Sequence, residues 1–126
     1  MKITKTTTNK HFEIFKTEAE YWIDYLGLKS WEIDFYHREC DGSMAQLWFN
    51  SLSRHAALYL AVKWTQPVTE KELRMSAFHE ATELLLGILS EYADGKLSHT
   101  ANDTERETHA IVRTLENTMF KDRVRN

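Results

Sequence analysis

Cysteine and proline are nearly absent from the sequence, which has one of each among 126 residues. Because a single cysteine cannot form an internal disulfide, a disulfide-stapled fold is excluded. Cys40 is interpreted as an ordinary thiol near a turn, and the lack of paired cysteines favours a reducing compartment. The only proline, Pro67, separates two regular stretches and marks the main internal boundary of the chain.

Long apolar runs and clustered charge are also missing. No stretch approaches the length of a membrane span, and residues 1–10 lack the apolar segment of a secretory signal, so we expect a cytoplasmic protein. The net charge of −3 and the scattered basic residues argue against a nucleic-acid interface, which needs a clustered cationic face. The mildly basic ends, residues 1–10 and 121–126, are expected to be flexible tails.

The apolar content of 42% in 126 residues is enough for one hydrophobic core, so we expect a single domain over residues 1–126. The alternation of apolar and polar residues in W-E-I-D-F-Y-H, residues 31–37, predicts a half-buried strand. Short aromatic or aliphatic runs at residues 44–50 and 55–62 predict two more strands. Because the connections are short, we expect an antiparallel meander.

Helices are predicted on both sides of these strands. Apolar residues at three- and four-residue spacing predict a helix over residues 11–26. Thr69 and Glu72 have the spacing of a capping box, which predicts the start of a helix over about residues 70–92. Helical spacing returns over residues 104–120. The predicted order is therefore α-β-β-β-α-α, an α+β fold with a small antiparallel sheet.

That second helix contains F-H-E-A-T-E-L-L-L, in which His79 and Glu83 are four residues apart. This spacing puts both side chains on one helix face, about one turn apart, where both can bind one metal ion. Glu80 lies to one side of the pair, where its carboxylate can act on a metal-bound water. The arrangement is that of the H-E-x-x-H helix, with a carboxylate in place of the second histidine.

The motif also has an ordinary interpretation. A chain of this composition contains about 0.1 such strings by chance, and a histidine and a glutamate at this spacing form a common pair on helix surfaces. Against this, apolar residues surround the pair on most of the helix circumference. A histidine and a carboxylate in such a setting need a hydrogen bond, a charged partner or a metal.

Zinc needs at least a third protein ligand, and a catalytic site leaves a fourth position to water. If the last helix packs against the second one, it offers His109, and after it Glu105 and Glu116. The alternative for His109 is a partly exposed helix histidine. The remaining histidines and the tryptophans are assigned to surface, structural or packing roles: His11, His37, His55, His99, Trp22, Trp31, Trp48 and Trp64.

F-H-E-A-T-E-L-L-L, followed after a polar loop by E-T-H-A-I-V-R-T-L-E-N, resembles the zincin-like metallopeptidases encoded in bacteriophage and prophage genomes. The earlier W-I-D-Y-L-G-L-K-S-W-E-I and the aromatic strands are also similar, so the resemblance covers nearly the whole chain. It implies a minimal zincin fold, with the small antiparallel sheet packed on the second helix and a further helix supplying the third ligand. In this fold His79, Glu83 and His109 hold zinc and Glu80 is the general base. It also implies an edge strand that binds an extended peptide, for which residues 55–62 are the candidate.

The function that the resemblance implies is zinc-dependent hydrolysis of peptide bonds in an extended peptide or protein segment, with Glu80 activating a zinc-bound water. Glu83 departs from the common pattern, which has a second histidine. Tyr59, Tyr92 and Arg113 are the candidates for stabilising the oxyanion. Two alternatives stay open: a phage or prophage protein that binds a host or phage factor without hydrolysis, and a structural metal site with four protein ligands.

Overall fold

The computed structural model describes residues 5–95 and 98–124. Its α+β class agrees with the prediction, and the predicted order of elements is matched in part. The predicted second helix is two helices, which meet at Leu86, and a π-helical turn, Glu116–Phe120, extends the last one. The helices and strands are α1 (Asn9–Tyr25), β1 (Glu32–His37), β2 (Ala45–Asn50), β3 (His55–Leu60), α2 (Glu70–Leu85), α3 (Gly87–Ala93), α4 (Ala101–Leu115) and α5 (Lys121–Val124).

The strands form one three-stranded sheet in the order β1-β3-β2. β2 pairs with β3 in antiparallel direction, with Ala45 opposite Leu60 and Asn50 opposite His55. β1 lies on the other side of β3 and pairs with it in parallel, with Glu32 opposite His55. The prediction of a purely antiparallel sheet is therefore wrong. The sheet is mixed because β3, and not β2, occupies its centre.

The composition of β3 explains its central position. Ala56, Leu58 and Leu60 have no exposed surface, and Ala57 on the opposite face is also buried. Such a strongly apolar strand suits the centre of the sheet, where both of its edges are hydrogen-bonded to neighbouring strands. The prediction that residues 55–62 form the peptide-binding edge strand is therefore wrong. In the described part of the chain β2 has one paired side, and its other side is an open edge.

The core lies between the sheet and the two long helices that cover one of its faces. Phe15 and Ala19 of α1 and Leu73, Ala77 and Ala81 of α2 are fully buried in one cluster with the sheet. The small alanine side chains let α1 and α2 approach each other closely. This packing holds α2 beside the open edge of β2.

Side-chain caps fix where the long helices begin. Thr69 Oγ1 accepts a hydrogen bond from the backbone N–H of Glu72 at 3.2 Å, as the capping pattern predicts. At the start of α1, the N–H of His11 donates to Thr8 Oγ1 at 3.2 Å, and the N–H of Thr8 donates to His11 Nδ1 at 3.0 Å. These caps fix where each helix begins and satisfy backbone N–H groups that have no partner inside the helix.

The segments expected to be tails take part in the fold where they are described. Thr6 forms an isolated antiparallel bridge with Lys63, and the neighbouring Thr7 is buried. At the other end, the hydroxyl of Tyr25 in α1 donates a hydrogen bond to Asp122 in α5. Both ends are therefore attached to the body of the protein.

The outermost residues of the predicted tails, 1–4 and 125–126, lie outside the described residues. Among the helices that the structure describes, none combines the length and the apolar character required to cross a bilayer.

Candidate metal centre

Three motif residues converge at the middle of α2. The possible ligand atoms of His79, Glu80 and Glu83 all lie within 4.8 Å of one another. His79 Nε2 lies 3.2 Å from Glu83 Oε1, as the four-residue spacing predicts. Both of these side chains are exposed, whereas Glu80 has only 6% of its surface exposed. The site therefore consists of two accessible ligands beside one buried carboxyl group.

The carboxyl group of Glu80 is in an environment that disfavours its charged form. Burial, the negative charge of Glu83 and a side-chain hydrogen bond with Glu83 together raise the pKa of Glu80 to about 8. At neutral pH, and without a cation, Glu80 is therefore mostly protonated and donates that proton to Glu83. A buried carboxyl group with a raised pKa beside a like charge is typical of functional sites.

The three residues line a groove between α2 and the open edge of β2. Its central part has a volume of about 570 Å³ and includes Ala45 and Gln46 on the strand side. The depression continues past Glu72 in one direction and past Asn50 and Glu91 in the other. We call the whole depression, bordered by residues 43–52 on one side and by α2 and α3 on the other, the β2 groove.

Tyr59 is the one predicted oxyanion candidate that borders this groove in the described residues, and it does so beside the three motif residues. The guanidinium carbon of Arg38 lies 4.4 Å from the centroid of the Tyr59 ring. This cation over the ring limits its movement. Tyr92 lies on α3, and Arg113 is exposed on α4.

The predicted third ligand, His109, is not brought to the other two. α4 contacts α3, and its buried residue, Ile111, borders a small pocket with Leu85 of α2. His109 is two residues earlier and so lies about 200° around the helix from Ile111, where it is exposed. Glu105 and Glu116 are exposed as well. The described residues therefore bring together a His-Glu-Glu set instead of the predicted His-Glu-His set.

Cys40 lies close enough to Glu80 for the two groups to interact electrostatically. Burial raises the pKa of the Cys40 thiol, although the charge of Arg38 acts in the opposite direction. The thiol donates a long hydrogen bond of 3.5 Å to the carbonyl oxygen of Arg38. A protonated, buried thiol is a poor nucleophile and a poor metal ligand, so its environment agrees with the interpretation as an ordinary thiol.

Trp48 is the groove residue whose role the sequence did not indicate. It was assigned to packing, but 51% of its surface is exposed and it borders the β2 groove. It alternates along β2 with Leu47 and Phe49, which pack against the core. The run L-W-F does not reveal which of its apolar residues face outward, because all three suit a buried strand.

Comparisons with protein-family models, with curated proteins and with solved structures found no match to this chain.

Proposed function

We propose that the chain is a zinc-dependent peptidase of the zincin type, with the β2 groove as its substrate site. The observation that carries this proposal is the position of Glu80, a buried carboxyl group with a pKa raised to about 8, beside the exposed pair of His79 and Glu83. Burying such a group destabilises the folded protein. A buried carboxyl group that destabilises the fold and borders an open groove is typical of an active site, where stability is lost in favour of function.

The donor set on this chain fits a divalent metal ion. Imidazole nitrogen and carboxylate oxygen are both zinc ligands, and the three candidate atoms lie within 4.8 Å of one another. A cation at this position would also offset the repulsion between the carboxylates of Glu80 and Glu83. His79 and Glu83 would hold the ion, which is one protein ligand fewer than a catalytic zinc site ordinarily has, because Glu80 is reserved for proton transfer. The ion would supply Lewis-acid activation of water and of a peptide carbonyl.

Glu80 would carry the proton transfers. A positive charge beside Glu80 favours its ionised form and lowers its pKa from about 8 towards neutrality. An ionised Glu80 accepts a proton from the attacking water and then donates it to the leaving amine. A group with a pKa near neutrality can do both at the working pH.

Two further parts of the groove would position the substrate. The outer edge of β2 presents backbone N–H and C=O groups that an extended peptide can pair with as an additional strand. The hydroxyl of Tyr59, which borders the same groove, is the candidate donor to the oxyanion of the tetrahedral intermediate. The substrate class that fits is therefore a peptide or protein segment in extended form.

The test is hydrolysis of a quenched fluorescent peptide mixture by zinc-loaded protein, with Glu80→Gln and the matched surface variant Glu13→Gln. Glu80→Gln should lower the rate by at least about 100-fold, the range for loss of a general base, while the zinc content stays unchanged. Glu13, exposed on α1, should be dispensable. Zinc-loaded wild-type protein that cleaves none of the peptides would refute the peptidase proposal.

The alternative, a phage or prophage protein that binds a host or phage factor without hydrolysis, is favoured by one observation. Val112, Leu115, Met119 and Phe120 are exposed apolar residues around a single depression on α4 and the π-helical turn that follows it. Exposed apolar patches of this kind are typical of protein contact sites. For such a protein, Glu80→Gln would leave partner binding unchanged.

A further inference from the structure

Negative charge is concentrated along the β2 groove. Glu72 borders one end and Glu91 borders the other. Glu83 borders the centre, beside Glu80, which is mostly protonated in the absence of a cation. No lysine or arginine borders the groove in the described residues, although the guanidinium of Arg38 lies behind it, over the ring of the groove residue Tyr59. The net charge of the whole chain is only −3, so this concentration is local.

The protein does not neutralise the two glutamates at the ends of the groove. Neither Glu72 nor Glu91 takes part in an ion pair within residues 5–95 and 98–124. Glu91 instead accepts a hydrogen bond of 2.7 Å from the hydroxyl of Ser51, which orients its carboxylate. Of the lysine and arginine residues of α2, Arg74 pairs with Glu18 of α1 at 2.9 Å, and Lys71 takes part in no ion pair among the described residues.

The Glu91 end of the groove also contains an aromatic platform. Trp48 is 51% exposed and borders the same pocket of about 370 Å³ as Leu52 and Glu91. An indole face attracts a lysine or arginine side chain, and apolar surface accommodates its aliphatic stem. An indole and a carboxylate in one pocket are therefore complementary to a cationic side chain.

Spacing along the groove matches the repeat of an extended peptide. Glu72 precedes His79 by seven residues, which is about 10 Å along a helix axis. A strand advances about 3.3 Å per residue, so a side chain about three residues from the reaction centre would reach Glu72. On the other side of the reaction centre, Asn50 follows Gln46 in β2 by four residues, or about 13 Å. Asn50 borders the same pocket as Glu91, so a peptide side chain about four residues from the reaction centre in this direction would reach Glu91.

We infer that the β2 groove selects extended peptides that carry lysine or arginine on both sides of the reaction centre, in the pocket of Trp48 and Glu91 and beside Glu72. This inference rests on the proposed function for the position of the reaction centre. It extends that function from peptides in general to basic peptides.

The experiment measures binding in the absence of turnover. Immobilised protein in a chelating buffer is incubated with a synthetic library of randomised nonapeptides, and the retained peptides are sequenced by mass spectrometry. We expect lysine and arginine to be enriched at least threefold over aspartate and glutamate, with the enrichment falling as salt is raised, since surface charges are screened. No enrichment of basic residues, or no retention of any peptide, would overturn the inference.

Variants locate the preference within the groove. Trp48→Ala and Glu91→Gln should each reduce the enrichment at least twofold at one end of the peptide, and Glu72→Gln should do so at the other end. Glu13→Gln removes the same charge from the exposed side of α1 and should retain the wild-type enrichment. Wild-type enrichment in Glu91→Gln and Glu72→Gln alike would show that these carboxylates do not select the peptide.

The outcomes separate this inference from the proposed function. Enrichment of basic peptides by a protein that cleaves none of them would support the charge preference and refute the peptidase. Cleavage of peptides without any charge preference would support the peptidase and overturn the preference for basic peptides.

Discussion

The carboxyl groups of Glu80 and Glu83 hydrogen-bond to each other across one turn of α2, although only Glu83 is open to solvent. Residues three apart on a helix are neighbours, so the helix itself brings the two acids together. His79 approaches the same carboxylate of Glu83 at 3.2 Å. The protonation of Glu80, the stability of the fold and the binding of a cation are therefore coupled at a single position.

Replacing Glu80 with glutamine is expected to stabilise the metal-free protein at alkaline pH. Folding raises the pKa of Glu80 from 4.5 to about 8, so the folded protein binds the additional proton between these values. Its stability therefore falls as pH rises through this range. Glutamine cannot ionise, and the variant should gain about 1–3 kcal/mol at pH 9 and little at pH 5.

Urea unfolding of both proteins at the two pH values, with a chelator present, measures this difference. Glu20→Gln, at an exposed position of α1, is the control and should show no such dependence. An equal effect of Glu80→Gln at pH 5 and pH 9 would contradict the raised pKa.

Zinc binding should depend on the exposed pair. His79→Ala and Glu83→Gln each remove one donor from the group and should weaken zinc binding at least about tenfold. His109→Ala should change the affinity less than about twofold, because His109 is exposed on the face of α4 opposite Ile111. Isothermal titration with zinc measures all three. A loss of binding in His109→Ala would mean that α4 can supply the third ligand predicted from the resemblance.

His37 should make the protein less stable in acid. Burial, with a smaller effect of His11, holds the pKa of His37 below its ordinary value of 6.5. The unfolded chain therefore binds a proton that the folded protein excludes, and this part of the stability is lost as pH falls below 6.5. Urea unfolding at pH 7.5 and 5.5 measures the loss.

His37→Phe removes the titrating group while keeping a ring against Phe12, whose centroid lies 5.3 Å from that of His37. The variant should lose less stability between the two pH values than the wild type does. It also lacks the 2.7 Å hydrogen bond with Thr7 Oγ1, so the pH dependence is the informative quantity. The control, His109→Gln, should leave that dependence unchanged.

Gly87→Ala tests the contact between α3 and the groove strand. A Cβ atom at Gly87 would lie 3.0 Å from Cε2 of Phe49 in β2, so the ring must move. The expected loss of stability is about 1–3 kcal/mol. The double variant with Phe49→Leu should recover part of the loss, measured by thermal unfolding. A double variant no more stable than Gly87→Ala would show that the ring is not the cause.

The sequence predicts the local features of this fold well. The start of α2 follows from Thr69, whose side chain accepts the capping hydrogen bond that the motif predicts. Such signals involve residues three or four positions apart, so they can be recognised from the sequence alone. The order of the strands is not local. It depends on β3 pairing along both of its edges, and a short apolar run does not distinguish a central strand from an edge strand.

The same contrast holds at the site. His79, Glu80 and Glu83 were predicted together, because one helix turn places them together whatever surrounds it. The direction of His109 depends on which face of α4 packs inward, and there Ile111 occupies the buried position. The burial of Glu80 and the exposure of Trp48 likewise depend on how α2 and β2 are placed in three dimensions. Single-residue patterns do not contain that information.

The order β1-β3-β2 also has a consequence for how the chain folds. β2 and β3 are joined by a tight turn in which Asn50 Oδ1 accepts hydrogen bonds from the N–H groups of Leu52 and Ser53, at 3.0 and 3.2 Å. Closing a short loop loses less chain entropy than closing a long one, and β1 can pair with β3 only across this whole hairpin. We therefore expect the hairpin to form early and β1 to be the last strand added. The strand that borders the groove, β2, would then be in place before the sheet is complete, because it needs only its hairpin partner β3.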